Sequence, residues 1–544
     1  MSSGKAGIWI SKMKSKNPKT VNLICILILG LLPVISILLR TIISPAAPSL
    51  LTSEWNDELF YFKQVEAIID YGYPLGYYGF NESHALAFSF AAWSPVLVWP
   101  WVLLGSLFGW SLNLVFIYNL IIYILAMLAF GALTKPTPKQ TAVISIWFLS
   151  FFLNARYIFS GMPEVICFAH LIVYFGLITG FIRLGKKGFL YTAIFVSMLM
   201  TFMRPYLILF LIFALIMNIV FSAKKGKKAG IFSLVISGII FLITGFIYYL
   251  LNHYLSAEYL MPFFFTDFIT TFFTDGFAAG VHNLIGTLYY KGMGYIEFMR
   301  DAFYVDRAAG IFFCLFILLM AVQAVQAIFE GREVKKKAKE KAIGITRIRW
   351  YFYSRLYMLF ACFALLMAIL LMYKLTEGSK HLLTFIMAGT LLMILDEKRG
   401  LICGIVMSLA LIYFGIFHCR GNFYDFGIPV RDAVQDARYD YWEKAFAEGI
   451  EIDKSDAPSY KNAIIWEFGD KVGDKDVVTD YQMLYALPSG TGISCCMEYT
   501  ADNLDKVQCR YIAAPAGGRI DKLCAEAGFK EIGRDERLVA YARY

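Results

Sequence analysis

The chain has 544 residues, of which 59% are apolar types, 17% aromatic and only 17% charged. That balance excludes an ordinary soluble domain and reads as a membrane protein. The formal net charge is +9, but residues 419–544 carry 16 Lys and Arg against 22 Asp and Glu, so the basic excess lies upstream of the tail. Its partner is then the lipid bilayer, and no nucleic-acid partner is expected.

Five lysines, Lys5, Lys12, Lys14, Lys16 and Lys19, precede the first long apolar run, 21–43. That run exceeds the roughly 20 residues needed to cross the hydrocarbon core, and it lacks the cleavage motif of a signal peptide. The basic stretch 1–20 is assigned to the cytoplasm by the positive-inside rule, so the loop that follows is external. It holds six acids and one Lys over 45–93, with Asp57 and Glu58 adjacent in "SEWNDELFYF". The plain reading of these two is helical: Asp57 caps a helix through 58–70 and Glu58 favours its dipole.

The apolar stretch "SPVLVWPWVLLGSLFGW" (94–110) poses the first topological choice. Were it to span, the basic loops at Lys135 and Lys139, at Arg183, Lys186 and Lys187, and at "AKKGKK" (223–228) would face outward. It is therefore read as interfacial or re-entrant, which extends the external loop over 45–110. Spans are expected near 21–43, 112–133, 141–155, 165–183, 189–203, 205–222, 230–252, 310–330, 350–373, 382–396 and 401–418. That gives about eleven crossings, an N-terminus in the cytoplasm and a C-terminus outside the cell membrane. A second external loop, 253–309, is rich in Phe and Tyr and is expected to lie partly in the interface, while the basic run 332–349 is cytoplasmic.

The tail, 419–544, reads as a small extracytoplasmic α/β domain. Strand-like "NAIIWEF" (462–468), "GISCCMEY" (492–499) and "RLVAYAR" (537–543) alternate with helical stretches at 431–449 and 519–528. The ten cysteines form no CxxC pair or Cys/His cluster, so no zinc site is expected; no cofactor is assigned and no metal is required, although an acidic pair could hold one.

Ionisable residues at membrane depth are costly and are functional candidates by default. Glu164 in "NARYIFSGMPEV", Arg204 in "MRPY", and Lys374, Lys380 and His381 in "YKLTEGSKHLLTF" all fall at external turns, on the side of Asp57 and Glu58. Each has a plainer reading. Glu164 follows Pro163 in a first helical turn, Arg204 can snorkel, as Arg40 and Arg355 are read to do, and the others can be boundary anchors. Chemically, a carboxylate beside a hydroxyl can take its proton, and cations at the lipid boundary can hold a phosphate leaving group.

The order of these elements resembles the GT-C-type glycosyltransferases that use polyprenyl-phosphate sugars, including protein O-mannosyltransferases and lipid A aminoarabinose transferases. The resemblance rests on Asp57, Glu58 and Tyr61 after the first span and on the Pro-containing stretch 93–109 ending in Phe-Gly. Glu164 in the second external loop, Arg204-Pro205 and the late "GSKHLL" (378–383) continue it. It covers roughly residues 20–400. Ser94-Pro95 stands where the family has His-Pro-Pro, Glu164 where it has Asp, and Lys-His where relatives often have Arg-Tyr.

The resemblance implies a GT-C-like helical polytopic membrane domain over 21–418. It also implies inverting transfer of a sugar from a polyprenyl-phosphate donor to a hydroxyl of a cell-envelope glycan, lipid or protein. Asp57 would be the base; Glu58 and Glu164 would orient the reactants; Tyr61, Arg204, Lys374, Lys380 and His381 would bind substrate. A lipid-linked sugar transporter or flippase would need the cations and no base, but its repeated halves are not evident here. A polyprenyl-diphosphate polymerase or ligase would put basic residues on loop 253–309, which holds six acids and three Lys or Arg.

Overall fold

The computed structural model describes residues 18–305, 314–329, 359 and 379–543, except 44, 54, 76, 81, 83–93, 152, 256–266, 327, 397–398, 419–427, 454, 456–458 and 497–498. Helix α1 (Pro18–Ile43) is followed by the short helix α2 (Asp57–Tyr71), strand β1 (Tyr77–Phe80) and helix α3 (Trp99–Phe108). The bundle then continues through α4 (Leu112–Thr134), α5 (Pro138–Ser150), α6 (Leu153–Ile158), α7 (Glu164–Leu184), α8 (Lys187–Met203), α9 (Ile208–Ala223) and α10 (Lys227–Leu255). Among the described residues, five helices are long and apolar enough to cross a membrane: α1, α4, α7, α10 and the stretch Pro205–Ala223 containing α9. Shorter apolar helices include α3, α8, Cys314–Gln326 and Gly400–Tyr413. The expected span 350–373 lies outside the described residues, apart from position 359.

Segment 94–110 forms a 3-10 turn at Pro95–Val98 and the ten-residue α3. At 1.5 Å per residue α3 reaches about 15 Å, half of the hydrocarbon thickness. The expected span 141–155 differs from the sequence reading: α5 stops at Ser150 and a separate α6 follows. The break is tolerated because side chains re-satisfy the backbone. Asn154 donates to the Phe148 carbonyl at 2.8 Å and accepts from the Tyr123 hydroxyl at 2.9 Å.

Tight turns set the helices antiparallel. Lys135 closes α4 in a left-handed conformation (φ 46°), and Thr137 and Gln140 form a reciprocal capping box that opens α5. Gly185, at φ 67°, ends α7 where a Cβ would be strained. The turns after α4, α7 and α9 thus share one end of the bundle, which is rich in lysine, and the turns before α7 and α9 share the opposite end. Close crossings use glycine: a Cβ on Gly131 would lie 3.2 Å from the Ile26 Cα, so α1 and α4 approach backbone to backbone.

Loop 253–309, expected to lie partly in the interface, contains the helix Asp267–Thr274 and the 29-residue helix Phe277–Val305, an ordered hairpin that the Phe- and Tyr-rich sequence did not suggest. Arg40, read as a snorkelling residue, is buried, donates to the Ala46 carbonyl at 2.6 Å and lies 5.5 Å from the Phe159 ring centroid.

The C-terminal part forms a six-stranded sheet, order β1-β5-β2-β6-β8-β7, with β2 (Ala463–Glu467), β5 (Gly492–Cys496), β6 (Tyr511–Pro515), β7 (Lys530–Arg534) and β8 (Leu538–Ala542). A two-stranded hairpin of β3 (Gly469–Val472) and β4 (Lys475–Val478) lies beside it. Strands β5, β2 and β6 are parallel and buried along their whole length, which explains their uninterrupted apolar runs. The edge strand β1 comes from the loop after α1 and pairs in parallel with β5.

Glu82, just beyond β1, reinforces this union. Its carboxylate accepts from the backbone N–H groups of Gln508, at 2.8 and 2.9 Å, and Cys509, at 2.6 Å. The loop after α1 and the C-terminal sheet are therefore on the same side of the bundle, which requires an even number of crossings between them.

In the same sheet, Asp521 receives a bidentate Arg534 at 2.7 and 2.8 Å, together with the Tyr541 hydroxyl and the Gly517 N–H. Arg534 chiefly holds its carboxyl down at about 2, against an ordinary 3.8. A depressed carboxylate stabilises the fold above its unfolded pKa, and that stabilisation is lost as pH falls through the folded value. Amide protection of 530–542 in the whole protein should accordingly fall between about pH 4 and pH 2. Asp521→Asn should weaken protection at neutral pH and flatten the acid limb; an unchanged acid limb would remove Asp521 from this role.

Candidate active site

Helix α2 begins at Asp57, with Asn56 as the preceding cap residue and no side-chain capping bond. Asp57 is therefore inside the first turn rather than the cap that one reading of the sequence made it. Asp57 and Glu58 lie at a helix N-terminus, where the dipole favours carboxylates, but their surroundings differ. Asp57 is half-buried, and Glu58 is fully buried.

Glu58 sits in a cup made by the chain between α6 and α7. Ser160 Oγ donates to Glu58 Oε1 at 2.5 Å, and Arg156 Nη1 lies 3.6 Å from the same oxygen. A Cβ on Gly161 would stand 2.9 Å from the Glu58 Cβ, so glycine lets the two backbones approach. Burial pushes the Glu58 carboxyl above its ordinary range, and the Arg156 charge and the Ser160 hydroxyl offset only part of that.

Arg156 is itself enclosed. It donates to the Phe159 carbonyl and to Ser53 Oγ, both at 3.1 Å, and its guanidinium carbon lies 3.7 Å from the Trp55 ring centroid. Arg156, within "NARYIFSGMPEV", is not among the candidates that the sequence singles out. The available signal was a cation flanked by apolar residues on both sides.

The cup is also pinned by α3 and α4. Trp101 on α3 donates to Asn119 Oδ1 at 2.8 Å, and the Asn119 amide donates to the carbonyls of Ile158 and Ser160 at 3.1 and 2.8 Å. Asn119 is fully buried and spends its amide on the loop that holds Glu58.

A second buried pair lies close by. Arg204 Nη2 is 3.0 Å from Glu164 Oε1, and both side chains are 2% exposed. Glu164 opens α7 and Arg204 lies at the turn between α8 and α9, so the pair ties two turns at one end of the bundle. Tyr61, one turn along α2 from Asp57, is buried within electrostatic reach of Asp57, Arg204 and Glu164. Its hydroxyl is pushed well above its ordinary pKa, first by burial and then by the Asp57 charge.

The sheet domain closes the other side. Tyr481 donates to the Ser53 carbonyl, and Gln482 donates to it at 2.8 Å. Tyr485 is buried within electrostatic reach of Glu58 and Arg156, with its ring edge-on to Phe62 at 5.4 Å. Cys495 on β5 lies within electrostatic reach of Asp57 and Glu467. Asp57 therefore occupies a seam between membrane helices and the parallel end of a sheet.

Of the residues singled out from sequence, the structure brings together Asp57, Glu58, Tyr61, Glu164 and Arg204. Lys374 lies outside the described residues. Lys380 and His381 fall in the first turn of the helix Ser379–Ile394. That helix ends at the lysine-rich end, where Gln140 at the start of α5 donates to the Leu395 carbonyl at 3.4 Å. Its sixteen residues span about 24 Å, so its first turn lies toward the end that carries Glu58 and Arg204. Among the described residues, no three His, Cys, Asp or Glu side chains gather as metal ligands do.

No protein-family model matches the chain, and no curated protein matches its sequence. Among solved structures, it aligns with ArnT from Cupriavidus metallidurans in the apo state. That alignment has 10% identity and a TM-score of 0.38, and covers 91% of this chain and 93% of that one.

Proposed function

We propose that this protein is a membrane glycosyltransferase that moves a sugar from a polyprenyl-phosphate donor to an acceptor hydroxyl, with Asp57 as the general base. The observation that carries the reading is the seam itself. A half-buried carboxylate stands beside two buried carboxylate–guanidinium pairs, Glu58–Arg156 and Glu164–Arg204, between membrane helices and the sheet domain. A transporter would need cations for the lipid phosphate but no general base.

In this scheme Asp57 accepts the acceptor's proton as its oxygen attacks the anomeric carbon, and the lipid phosphate departs from the opposite face with inversion. Arg204 stabilises the charge that develops on that phosphate, as a preorganised cation does in a water-poor site. Lys374, Lys380 and His381 would take the outer part of the phosphate.

Two roles shift from the sequence reading. Glu164 holds Arg204 in place, and Glu58 anchors the start of α2 through Ser160 and Arg156; both are positioning residues rather than ligands of the acceptor. The seam would face the extracytoplasmic side of the cell membrane, together with the sheet domain.

Donor binding tests the scheme. The Glu164→Gln/Arg204→Ala double variant removes both charges, so no lone carboxylate is left buried. It should bind polyprenyl monophosphate about ten- to a hundredfold more weakly, the worth of one charged hydrogen-bonding group. Unchanged affinity in a direct binding titration would count against the phosphate clamp.

A further inference from the structure

A second cleft lies at the other end of the bundle, away from Asp57. Helices α8, α9 and α10 enclose a groove of about 380 Å³. Its walls are apolar, with Phe195 and Phe232 largely exposed along it. Its floor is polar: Asn218, Ser222 and Ser233 are 6%, 5% and 4% exposed and all line the groove. The Ser233 hydroxyl has no hydrogen-bond partner among the described residues. A buried hydroxyl left unsatisfied at membrane depth is costly unless a ligand or water meets it.

Two lysines stand at the mouth. Lys187, at the start of α8, and Lys225, after α9, both line the groove. Their ammonium groups lie 5.9 and 5.6 Å from the centroid of one ring, Phe221, so they converge from two different turns. The groove therefore offers two cations at its lysine-rich end, hydroxyl and amide groups beneath them, and an apolar run leading toward the membrane interior.

We propose that this groove is a binding site for an anionic phospholipid. The phosphate and headgroup would sit between Lys187 and Lys225, within reach of the serine hydroxyls, and an acyl chain would follow the Phe195 and Phe232 wall. Basic pockets between membrane helices bind acidic headgroups by this combination of charge and apolar area. The inference does not depend on the transfer reaction, because no residue of the seam takes part.

The test is a native mass-spectrometric titration of the intact detergent-purified protein with phosphatidylglycerol and with phosphatidylcholine of identical acyl chains. Phosphatidylglycerol should bind about tenfold more tightly or better, and Lys187→Gln/Lys225→Gln should remove that preference. Lys224→Gln/Lys228→Gln deletes two lysines from the same end that do not line the groove, and should keep the preference. Ser233→Leu, which fills the floor, should weaken both lipids. Equal binding of the two lipids, equal loss in both lysine pairs, or tighter binding of polyprenyl monophosphate at the same site would overturn the proposal. So would unchanged phosphatidylglycerol affinity in Ser233→Leu.

Discussion

Asp57→Asn should lower transfer by a factor of roughly 10²–10⁴ while leaving folding and donor binding near normal, because general-base assistance contributes about that much. The substitution is nearly isosteric and falls at a half-buried position. Its structural cost is the loss of a favourable charge at the N-terminus of α2, on the order of 0.3–1 kcal/mol. The measurement is single-turnover release of polyprenyl phosphate from a labelled donor, run beside a donor-binding titration. Turnover close to that of the unaltered protein would end the assignment of base. Glu58→Gln is the control, since it removes the neighbouring charge yet should spare the chemical step far more.

Arg156→Ala should destabilise the protein by about 3–5 kcal/mol, the usual consequence of stranding one partner of a buried ion pair. Arg156 is 2% exposed and bears on Glu58, Ser53, Trp55 and the Phe159 carbonyl together. Its loss leaves Glu58 enclosed with a hydroxyl and no cation. The Glu58→Gln/Arg156→Met pair should recover much of that loss, because a neutral amide and an apolar chain of similar length need no mutual charge. Thermal unfolding in detergent reads both variants. A single Arg156→Ala variant within about 1 kcal/mol of the parent would show the pair to be dispensable to the fold.

Several parts of this arrangement are written locally and were legible in the chain. Long apolar runs identify α1, α4, α7 and α10, because crossing a bilayer sets a minimum length. The basic loops argue against a crossing by segment 94–110, whose helix α3 has ten residues. In the tail, β2, β5 and β8 fall on the expected strands, since each is a short run of apolar residues bounded by polar ones. Glu164 and Arg204 stand out because charge at membrane depth is costly, Asp57 and Glu58 as adjacent acids just after the first apolar run, and Tyr61 through the family resemblance alone.

What was not legible depends on partners far away in sequence. The four residues of β1 carry no strand signal strong enough to stand out in a long loop, and their partner β5 begins more than 400 positions later. Glu82 reads as one more loop acid until the N–H groups of Gln508 and Cys509 arrive to meet it. Arg156 looks like an ordinary loop cation until Ser53, Trp55 and Glu58 enclose it.

The sequence by itself determined that the chain crosses a membrane repeatedly, which of its acids and cations are costly enough to need a reason, and that a small α/β domain follows. These follow from composition, periodicity and loop charge, all of which act over a few tens of residues. Only the tertiary structure decided that Glu58 pairs with Arg156 and Glu164 with Arg204, and that the first loop is built into the C-terminal sheet. Burial and charge pairing are properties of neighbours in space, and the seam around Asp57 exists only once the sheet domain has closed over the helix ends.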